Sequence, residues 1–344
     1  MTDHHQEHFG RKAPRVTVLM TYYGKREFVE EAVASVLAST FRDFDLLVVD
    51  DASTDGGLEL IRAFADPRIR ILESSVNTGR AAAANRGFDA ALGEYVAILD
   101  ADDAMHPERL ARQVAFLDEH PEVGVLGTYA EIMGRSGAII SAFGATDREC
   151  RGRLLLGDPL WYGSAMFRRA VLDEGGLRCD PTWRLPGMDH LLLVRTALLT
   201  KVANLTECLT YYRVGEQNMR HGRDPQGDRM ALYQRVFQLF GIEVTTAEVR
   251  LHIMLQGLFE NKVDAGDVQA LRSWLDHLQA MNRERGLFPV PEFEQALEER
   301  WRHLFFTFAD HGFSAGVAHL RCSGSYPLSR LYYLFKVSFA RTSS

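Results

Sequence analysis

Between Val16 and His120 the chain switches repeatedly between short runs of consecutive aliphatic side chains and stretches of helical periodicity. That alternation narrows the possible architectures more than any other feature. Val16-Thr17-Val18-Leu19-Met20, Leu46-Leu47-Val48-Val49, Ile69-Arg70-Ile71-Leu72 and Tyr95-Val96-Ala97-Ile98-Leu99 read as strands. Between the first two, residues 27–39 lack Gly and Pro, and Phe28, Ala32, Val33, Val36 and Leu37 recur at helical spacing. Leu60, Ile61 and Phe64 mark a second helix, and residues 80–91 are Ala-rich and therefore helix-prone. Pro107 marks the start of another, where its missing N–H is not needed. Strands that are apolar on consecutive positions are buried on both faces, the mark of a parallel sheet. Joined by right-handed crossovers, they form an open α/β sheet with its ligand crevice at the carboxyl ends of the strands. The first, second and fourth strands end in Thr21-Tyr22-Tyr23, Asp50-Asp51 and Asp100-Ala101-Asp102, so all three segments are expected at one crevice.

Past Val123 the pattern loosens. Strands are expected over 123–133, 138–143, 163–167 and 202–213, and a helix over 189–200. From Gly227 onward the chain reads as helical, with amphipathic stretches over 232–240, 246–259, 268–281 and 293–308. A length of 344 residues suits two domains at about 100–200 residues each. The expected division is a disordered tail over 1–13, an α/β domain over 14–226 with halves 14–120 and 121–226, and a helical extension over 227–344. The tail is polar and carries His4, His5 and His8; a frayed end explains it better than a metal site, and it lacks the apolar stretch of a secretory signal.

Net charge and cysteine spacing remove other classes. With 39 Lys+Arg against 46 Asp+Glu, a formal charge of -7 argues against wholesale nucleic-acid binding. No apolar run approaches the roughly 18 residues of a membrane-spanning helix. Cys150, Cys179, Cys208 and Cys322 lie far apart, which reads as reduced thiols in a cytoplasmic protein.

Three segments carry chemistry. Asp100-Ala101-Asp102 places two carboxylates one residue apart after a buried strand, a pattern that can hold a hard divalent cation bridging the phosphates of a nucleotide diphosphate. An acidic loop leading into the helix near Pro107 is the plainer alternative. In Val48 to Gly56, a carboxylate at a strand end can accept hydrogen bonds from a base or ribose, while Asp55 can simply cap a helix. A phosphoacceptor pocket would place Asp50-Asp51 after the first strand, not the second. In Asn77-Thr78-Gly79-Arg80, Gly79 permits close backbone approach and Arg80 offers a planar cation to phosphate or base; a turn and helix cap would look the same. No strand is followed by three spaced glycines, which argues against a nicotinamide enzyme.

Over residues 15–220 these ordered segments resemble glycosyltransferase family 2, of the GT-A fold. The opening strand and Tyr turn, Val48 to Gly56, Asn77 to Asn85, the Asp-x-Asp segment, 163–169, 173–177 and Met188-Asp189-His190 all fit its pattern. The resemblance implies a mixed, mostly parallel sheet flanked by helices. It also implies an inverting, metal-assisted transfer of one sugar from a nucleotide-diphosphate sugar to an acceptor hydroxyl, in polysaccharide or glycoconjugate assembly. Thr21, Tyr23 and Asp51 (or Asp50) would hold nucleobase and ribose, with Asn77 and Arg80 beside them. Asp102 would bind Mn2+ or Mg2+ with the diphosphate, Asp100 would lie toward the sugar and ribose, Ala101 would belong to the same nucleotide-sugar site, and Asp189 would be the general base. The sequence departs from the pattern at Thr21, Gly24 and Met188, where Pro, Asn and an acidic residue are frequent; Met188 leaves Asp189 as the one carboxylate there. His221 is a candidate further metal ligand, with a loop histidine as the alternative. The Gln-x-x-Arg-Trp motif of processive synthases is missing. A sugar-phosphate nucleotidyltransferase would want a Gly-rich basic loop where Thr21 to Arg26 stands, and a non-catalytic nucleotide-sugar-binding protein would share the crevice.

From Gly312 to Ser344 there are Arg321, Arg330, Lys336 and Arg341 but no Asp or Glu, and Leu328, Leu331, Tyr332, Phe335 and Phe339 recur at helical spacing. Such a helix either lies on an anionic membrane surface, which suits a lipid-linked acceptor, or docks on its own domain.

Overall fold

A computed structural model describes residues 13–135, 137–140, 144–215 and 224–342, without the side chains of 338–342. The expected tail, apart from Ala13, and His221 therefore lie outside the described residues. The described residues group into two compact units. One lies within Met1–Ala145, Leu160–Arg184 and Met188–Glu216; the other lies within Thr146–Pro159, Leu185–Gly187 and Gln217–Ser344.

In chain order the elements up to residue 212 are β1 (Val16–Tyr22), α1 (Arg26–Leu37), β2 (Phe44–Asp50), α2 (Gly57–Ala63), β3 (Ile69–Leu72), α3 (Arg80–Ala90), β4 (Tyr95–Ile98), β5 (Ala104–Met105), α4 (Arg109–Glu119), β6 (Val123–Ile132), α5 (Asp147–Gly152), β7 (Met166–Arg168), α6 (Arg169–Glu174), α7 (Met188–Leu199) and β8 (Lys201–Tyr212). Strand order is β3-β2-β1-β4-β7-β6-β8-β5. β1 pairs in parallel with β2 and β4, and β2 with β3. β7 then runs antiparallel to both β4 and β6, which makes the sheet mixed. β1 is shielded on both faces: Val16, Val18, Met20 and Tyr22 are fully buried, with Leu19 nearly so on the other face. Apolar contacts from α1 (Val29, Ala32, Val33, Val36) and α4 (Leu110, Val114, Leu117) close one core.

Two strand expectations need correction. The run 138–143 is not a strand among the described residues; Ile139 makes one antiparallel bridge to Glu131, and 141–143 lie outside the described residues. At 163–167 the first two residues belong to a tight 3-10 turn, Tyr162–Ser164, and the strand begins at Met166. Ser164 Oγ explains the turn, because it donates to Trp161 O at 2.7 Å and so folds the backbone back.

The second unit adds α8 (Pro225–Leu239), α9 (Thr246–Met254), α10 (Ala265–Arg285), α11 (Glu292–His311), α12 (Phe313–Ser323) and α13 (Leu328–Thr342) to α5. The helix expected over 246–259 stops at Met254, before Gly257, whose φ of 73° is left-handed. Its start follows from Thr245 and Glu248, which form a capping box. Buried His252 donates from Nε2 to Leu155 O at 2.6 Å and accepts Trp274 Nε1–H at Nδ1, 3.3 Å away. His319 lies stacked on Trp301, 4.2 Å between ring centres, with Nε2 2.8 Å from Trp301 O. All four cysteines are free thiols.

Candidate active site

β1, β2 and β4 are parallel neighbours, so the residues that follow their carboxyl ends share one rim of the first unit. The segment 100–103 leaves β4 as a tight turn closed by Asp103 N–H to Asp100 O at 3.1 Å. Each carboxylate in it meets a cation or backbone donor from elsewhere. Arg80 Nη2 donates to Asp100 Oδ1 at 3.0 Å, Lys25 Nζ to Asp102 Oδ2 at 2.7 Å, and Arg213 N–H to Asp103 Oδ1 at 2.9 Å. Arg213 also donates to Asp102 O at 2.9 Å, pairs with Glu31, and lies over the Phe28 ring.

Asp103 is 1% exposed, and its Oδ2 has no hydrogen-bond partner among the described residues. Burial, with the charge of Asp100 added, pushes its carboxyl well above the usual range. Burial likewise raises Asp100, against the pull of Arg80 and with the help of Asp102 and Asp189. Beneath the turn lies Arg109 of α4, fully buried. Burial lowers its pKa to about 9, opposed by the charges of Asp103 and Asp100. It donates from Nη2 to Ile98 O at 2.8 Å and from Nε to Gln113 Oε1 at 3.1 Å. Gln113 in turn donates to Leu126 O and Ser164 O at 2.9 and 2.8 Å, tying the turn before β7 to β6. Gly163 in that turn has a reason to be glycine: a Cβ there would sit 3.3 Å from Asp100 Oδ2 and 3.5 Å from Asp103 Oδ2.

Asp51 organises the neighbouring turn. Its Oδ1 accepts Thr78 N–H and Thr78 Oγ1–H, both at 2.8 Å, and its Oδ2 accepts Gly79 N–H at 2.8 Å. Asn77 Nδ2 donates to Asp51 O at 3.3 Å. Gly79 adopts φ 88°, a conformation that a side chain would strain, and so delivers Arg80 into α3 toward Asp100. Asp51 thus has both oxygens engaged. Asp50, also buried, accepts only Ser53 N–H, at Oδ1, among the described residues. Ala52 between this pair and the loop has φ 64°, a left-handed conformation rare for alanine. Asp55 does what a structural carboxylate would do: it accepts Tyr22 Oη–H at 2.6 Å, Gly57 N–H at 3.0 Å and Arg26 N–H at 2.8 Å, joining β1 to the start of α2.

Thr21 is half-buried in register with Val49, Tyr23 is 57% exposed just past β1, and Ala101 is buried. Asp189 lies in the first turn of α7, half-buried, and its Oδ1 accepts His190 N–H at 2.9 Å. Its charge reaches the same rim, for the charge of Asp100 raises the pKa of Arg80 most and Asp189 adds to it, against burial. Arg80 also faces the Tyr162 ring, 5.7 Å from its centre. The structure therefore links Asp51, Asn77, Arg80, Asp100, Asp102 and Asp189 along one rim of the sheet. Lys25, Arg109, Gln113, Tyr162 and Arg213 join them, and the sequence reading missed all five. Only Lys25 and Arg213 had a visible hint, as basic residues just past strand ends.

The donor set can be tested against a divalent cation. No group of three or more His, Cys, Asp or Glu side chains could hold one among the described residues. The carboxylates of Asp100 and Asp102 are hard oxygen donors at the mouth of the crevice. They fit a cation of the kind that takes one or two carboxylates and completes its shell with phosphate and water.

A family model described as Glycosyl transferase family 2 matches residues 17–176. The chain is 32% identical over 245 residues to the uncharacterized glycosyltransferase alr2836 of Nostoc sp. (strain PCC 7120), covering 67% of this chain and 73% of that protein. It is 29% identical over 194 residues to the succinoglycan biosynthesis protein ExoO of Rhizobium meliloti, covering 53% of this chain and 55% of ExoO. A Bacillus subtilis relative is matched over 58% of its length, so the chain spans about half to three quarters of these curated relatives. Among solved structures, Staphylococcus aureus TarS 1-349 in complex with UDP-GlcNAc superposes with a TM-score of 0.55 at 19% identity, over 96% of this chain and 92% of that one. The mannosyltransferase PcManGT from Pyrobaculum calidifontis, in complex with GDP-Man and Mn2+, gives 0.53 at 20% identity, over 94% and 79%. At such identities these likenesses speak for the GT-A fold. With the family model and the Nostoc protein agreeing, the chain belongs to glycosyltransferase family 2.

Proposed function

We propose that the chain transfers one sugar from a nucleotide-diphosphate sugar to an acceptor hydroxyl, with inversion at the anomeric carbon. The observation that carries this reading is the meeting of Asp100, Asp102 and Asp189 with Arg80 and Lys25 at the carboxyl rim of β1, β2 and β4. The donors bound in the TarS and PcManGT structures, UDP-GlcNAc and GDP-Man, are of this class.

In this reading Asp50, with one oxygen still available, and the exposed Tyr23 beside Thr21 bind the nucleoside, while Asp51 shapes the 77–79 turn that faces it. Asp102, with Asp100, would hold Mn2+ or Mg2+. Such an ion neutralises charge developing on the departing diphosphate. Lys25 and Arg80 are released toward the phosphates as their carboxylates take up other partners, and each brings a positive charge to oxygens that become more negative as the bond breaks. Tyr162, Ala101 and Gly163 wall the space beside Asp100 where the sugar would lie. Asp189 accepts the proton of the acceptor hydroxyl on Oδ2, which has no donor among the described residues. With one base and one leaving group, a single displacement inverts the anomeric carbon. The acceptor is a glycan or lipid-linked glycan in polysaccharide assembly, in line with the succinoglycan biosynthesis for which ExoO is named, and a lipid-linked acceptor would place the chain peripherally at the cytoplasmic face of a membrane. No helix among the described residues is long and apolar enough to cross one.

The test is a thermal-shift screen of nucleotide sugars with and without manganese, followed by product analysis. Metal-dependent stabilisation by one donor, lost in Asp102→Ala, is expected. A donor that binds Asp102→Ala as tightly as the parent, with or without metal, would overturn the proposed role of that carboxylate.

A further inference from the structure

The turn that carries Asp100 and Asp102 is a short loop between β4 and β5, and a loop does not by itself hold a carboxylate still. Its far end is fixed by the sheet. β5 pairs antiparallel with the end of β8, Ala104 opposite Tyr211 and Met105 opposite Thr210, and His106 N–H donates to Leu209 O at 3.0 Å. The chain therefore leaves β8 beside the turn that β8 has just braced. Tyr212 sets its ring against Trp161, 4.6 Å between ring centres, and its carbonyl accepts Met133 N–H at 2.9 Å. The next residue is Arg213.

Arg213 meets the turn twice and α1 twice. Its backbone N–H donates to Asp103 Oδ1 and its Nε to Asp102 O, both at 2.9 Å. Its Nη2 pairs with Glu31, and the guanidinium lies over the Phe28 ring, 4.8 Å from the ring centre. Lys25, which caps the start of the same helix, takes the Asp102 carboxylate itself at 2.7 Å. Phe28 follows Lys25, and Glu31 follows Phe28, at the i, i+3 spacing that makes helix neighbours. A guanidinium is a planar fork with donors in fixed directions, so it sets the groups it joins in orientation as well as in distance. Neither bond from Arg213 to the turn touches the carboxylate oxygens of Asp102. Arg213 holds the peptide from which that side chain springs and leaves the side chain to other partners. A tie between α1 and β8 would need only the Glu31 pair, and with Glu31 56% exposed that pair is of the weakly stabilising surface kind.

We propose that Arg213 is a positioning residue of the transfer reaction: it fixes the backbone of Asp102 so that this carboxylate meets the divalent cation and the donor diphosphate in one geometry. The inference rests on the role proposed above for Asp102. Groups that orient a metal-binding carboxylate from outside govern about 10–100-fold in cation affinity or activity.

The experiment is calorimetric titration of the full chain with UDP and, separately, GDP, with Mn2+ and without it. UDP and GDP are the nucleotides of the donors bound in TarS and PcManGT. Arg213→Met should remove about tenfold or more of the tightening that Mn2+ gives the parent, and leave metal-free nucleotide affinity near the parent's. Asp102→Ala, run beside it, should remove the tightening altogether. Arg213→Lys keeps the charge near Glu31 but lacks the fork, and should stay within about threefold of Arg213→Met. A loss in Asp102→Ala with Arg213→Met at parent strength overturns this inference alone. Parent strength in both variants, or no Mn2+ effect in the parent with either nucleotide, overturns the role of Asp102 and this inference with it. Full restoration by Arg213→Lys would make charge the cause and not placement, and an equal fall in metal-free binding would mark a merely structural residue; either result overturns the proposal. Should Arg213→Met fail to fold, Arg213→Lys decides in its place: parent strength overturns the proposal, and a loss confined to the Mn2+ effect supports it.

Discussion

The two units treat buried charge in opposite ways. The strand-built unit buries Asp50, Asp51, Asp103 and Arg109, and every buried side-chain atom without a partner among the described residues lies in it, Asp103 Oδ2 and Arg109 Nη1 included. Among its described residues the helical unit buries His252, Asn282 and His319, each hydrogen-bonded, but no carboxylate or guanidinium. Burying an unpaired charge costs several kcal/mol, which a structural unit has no reason to bear. Concentrating that cost at one rim is the behaviour of a region built for chemistry, where perturbed ionisation is a tool. The helical unit keeps its charges on the surface, where they can meet a partner.

The largest break in this contrast should come from Asp189→Asn. Turnover is expected to fall by about 10²–10⁴-fold, the usual worth of a general base, with donor affinity nearly unchanged. Direct titration of donor beside a transfer assay separates the two. Unchanged turnover would remove Asp189 from the reaction.

Next comes Arg109→Met, which leaves Asp103 without the buried cation beneath it. A loss of about 3–5 kcal/mol in denaturant unfolding is expected, and adding Asp103→Asn should restore part of it by removing the uncompensated charge. If the double variant is no better than the single one, the two groups do not interact.

Acid should separate the units. Burial holds His252 and His319 down to about 4, below the ordinary 6.5, so the native helical unit excludes protons that its unfolded chain would bind. Stability from this source is complete above pH 6.5 and is lost as pH falls toward 4, by up to about 3 kcal/mol for each imidazole. The raised carboxyls of Asp100 and Asp103 act in the opposite sense, since the native strand unit takes up their protons more readily than the unfolded chain. Hydrogen exchange at pH 5 should therefore open α9 and α12 before β1 and β4. Simultaneous opening would show that the imidazoles do not govern the difference.

The smallest effect is expected from Tyr332→Ser. An exposed side chain without structural partners should change the unfolding free energy by no more than about 0.5 kcal/mol. A larger loss would mean that the outer face of α13 is covered within this chain.

Much of this was legible in the sequence wherever a rule linked position along the chain to position in space. Asp50, Asp51, Asp100 and Asp102 could be assigned to one crevice because parallel strands put their carboxyl ends together, whatever the intervening length. What stayed hidden depends on partners brought together by the finished fold. Lys25 reaches Asp102 across 77 positions and Arg213 reaches Asp103 across 110; a place just past a strand end hints at the rim for both but does not name the partner. Arg109 and Gln113 read as an ordinary polar pair on a helix, although both are fully buried. α12 was missed because Phe313 to Ser323 mixes small residues with Gly316, which weakens helical periodicity; the close approach of Leu334 to that glycine is the reason for it.

Arg80 has a consequence for how the rim responds to change. One guanidinium answers to two acids, Asp100 through a hydrogen bond and Asp189 through space. Removing the charge of either leaves the guanidinium more strongly committed to the other. The loss in donor affinity from Asp100→Asn should therefore differ, by roughly 0.5–3 kcal/mol, between the parent and an Asp189→Asn background, and that difference should vanish in a background carrying Arg80→Met. Leaving-group side and acceptor side would then be thermodynamically one object, tuned by a single residue that touches neither substrate bond.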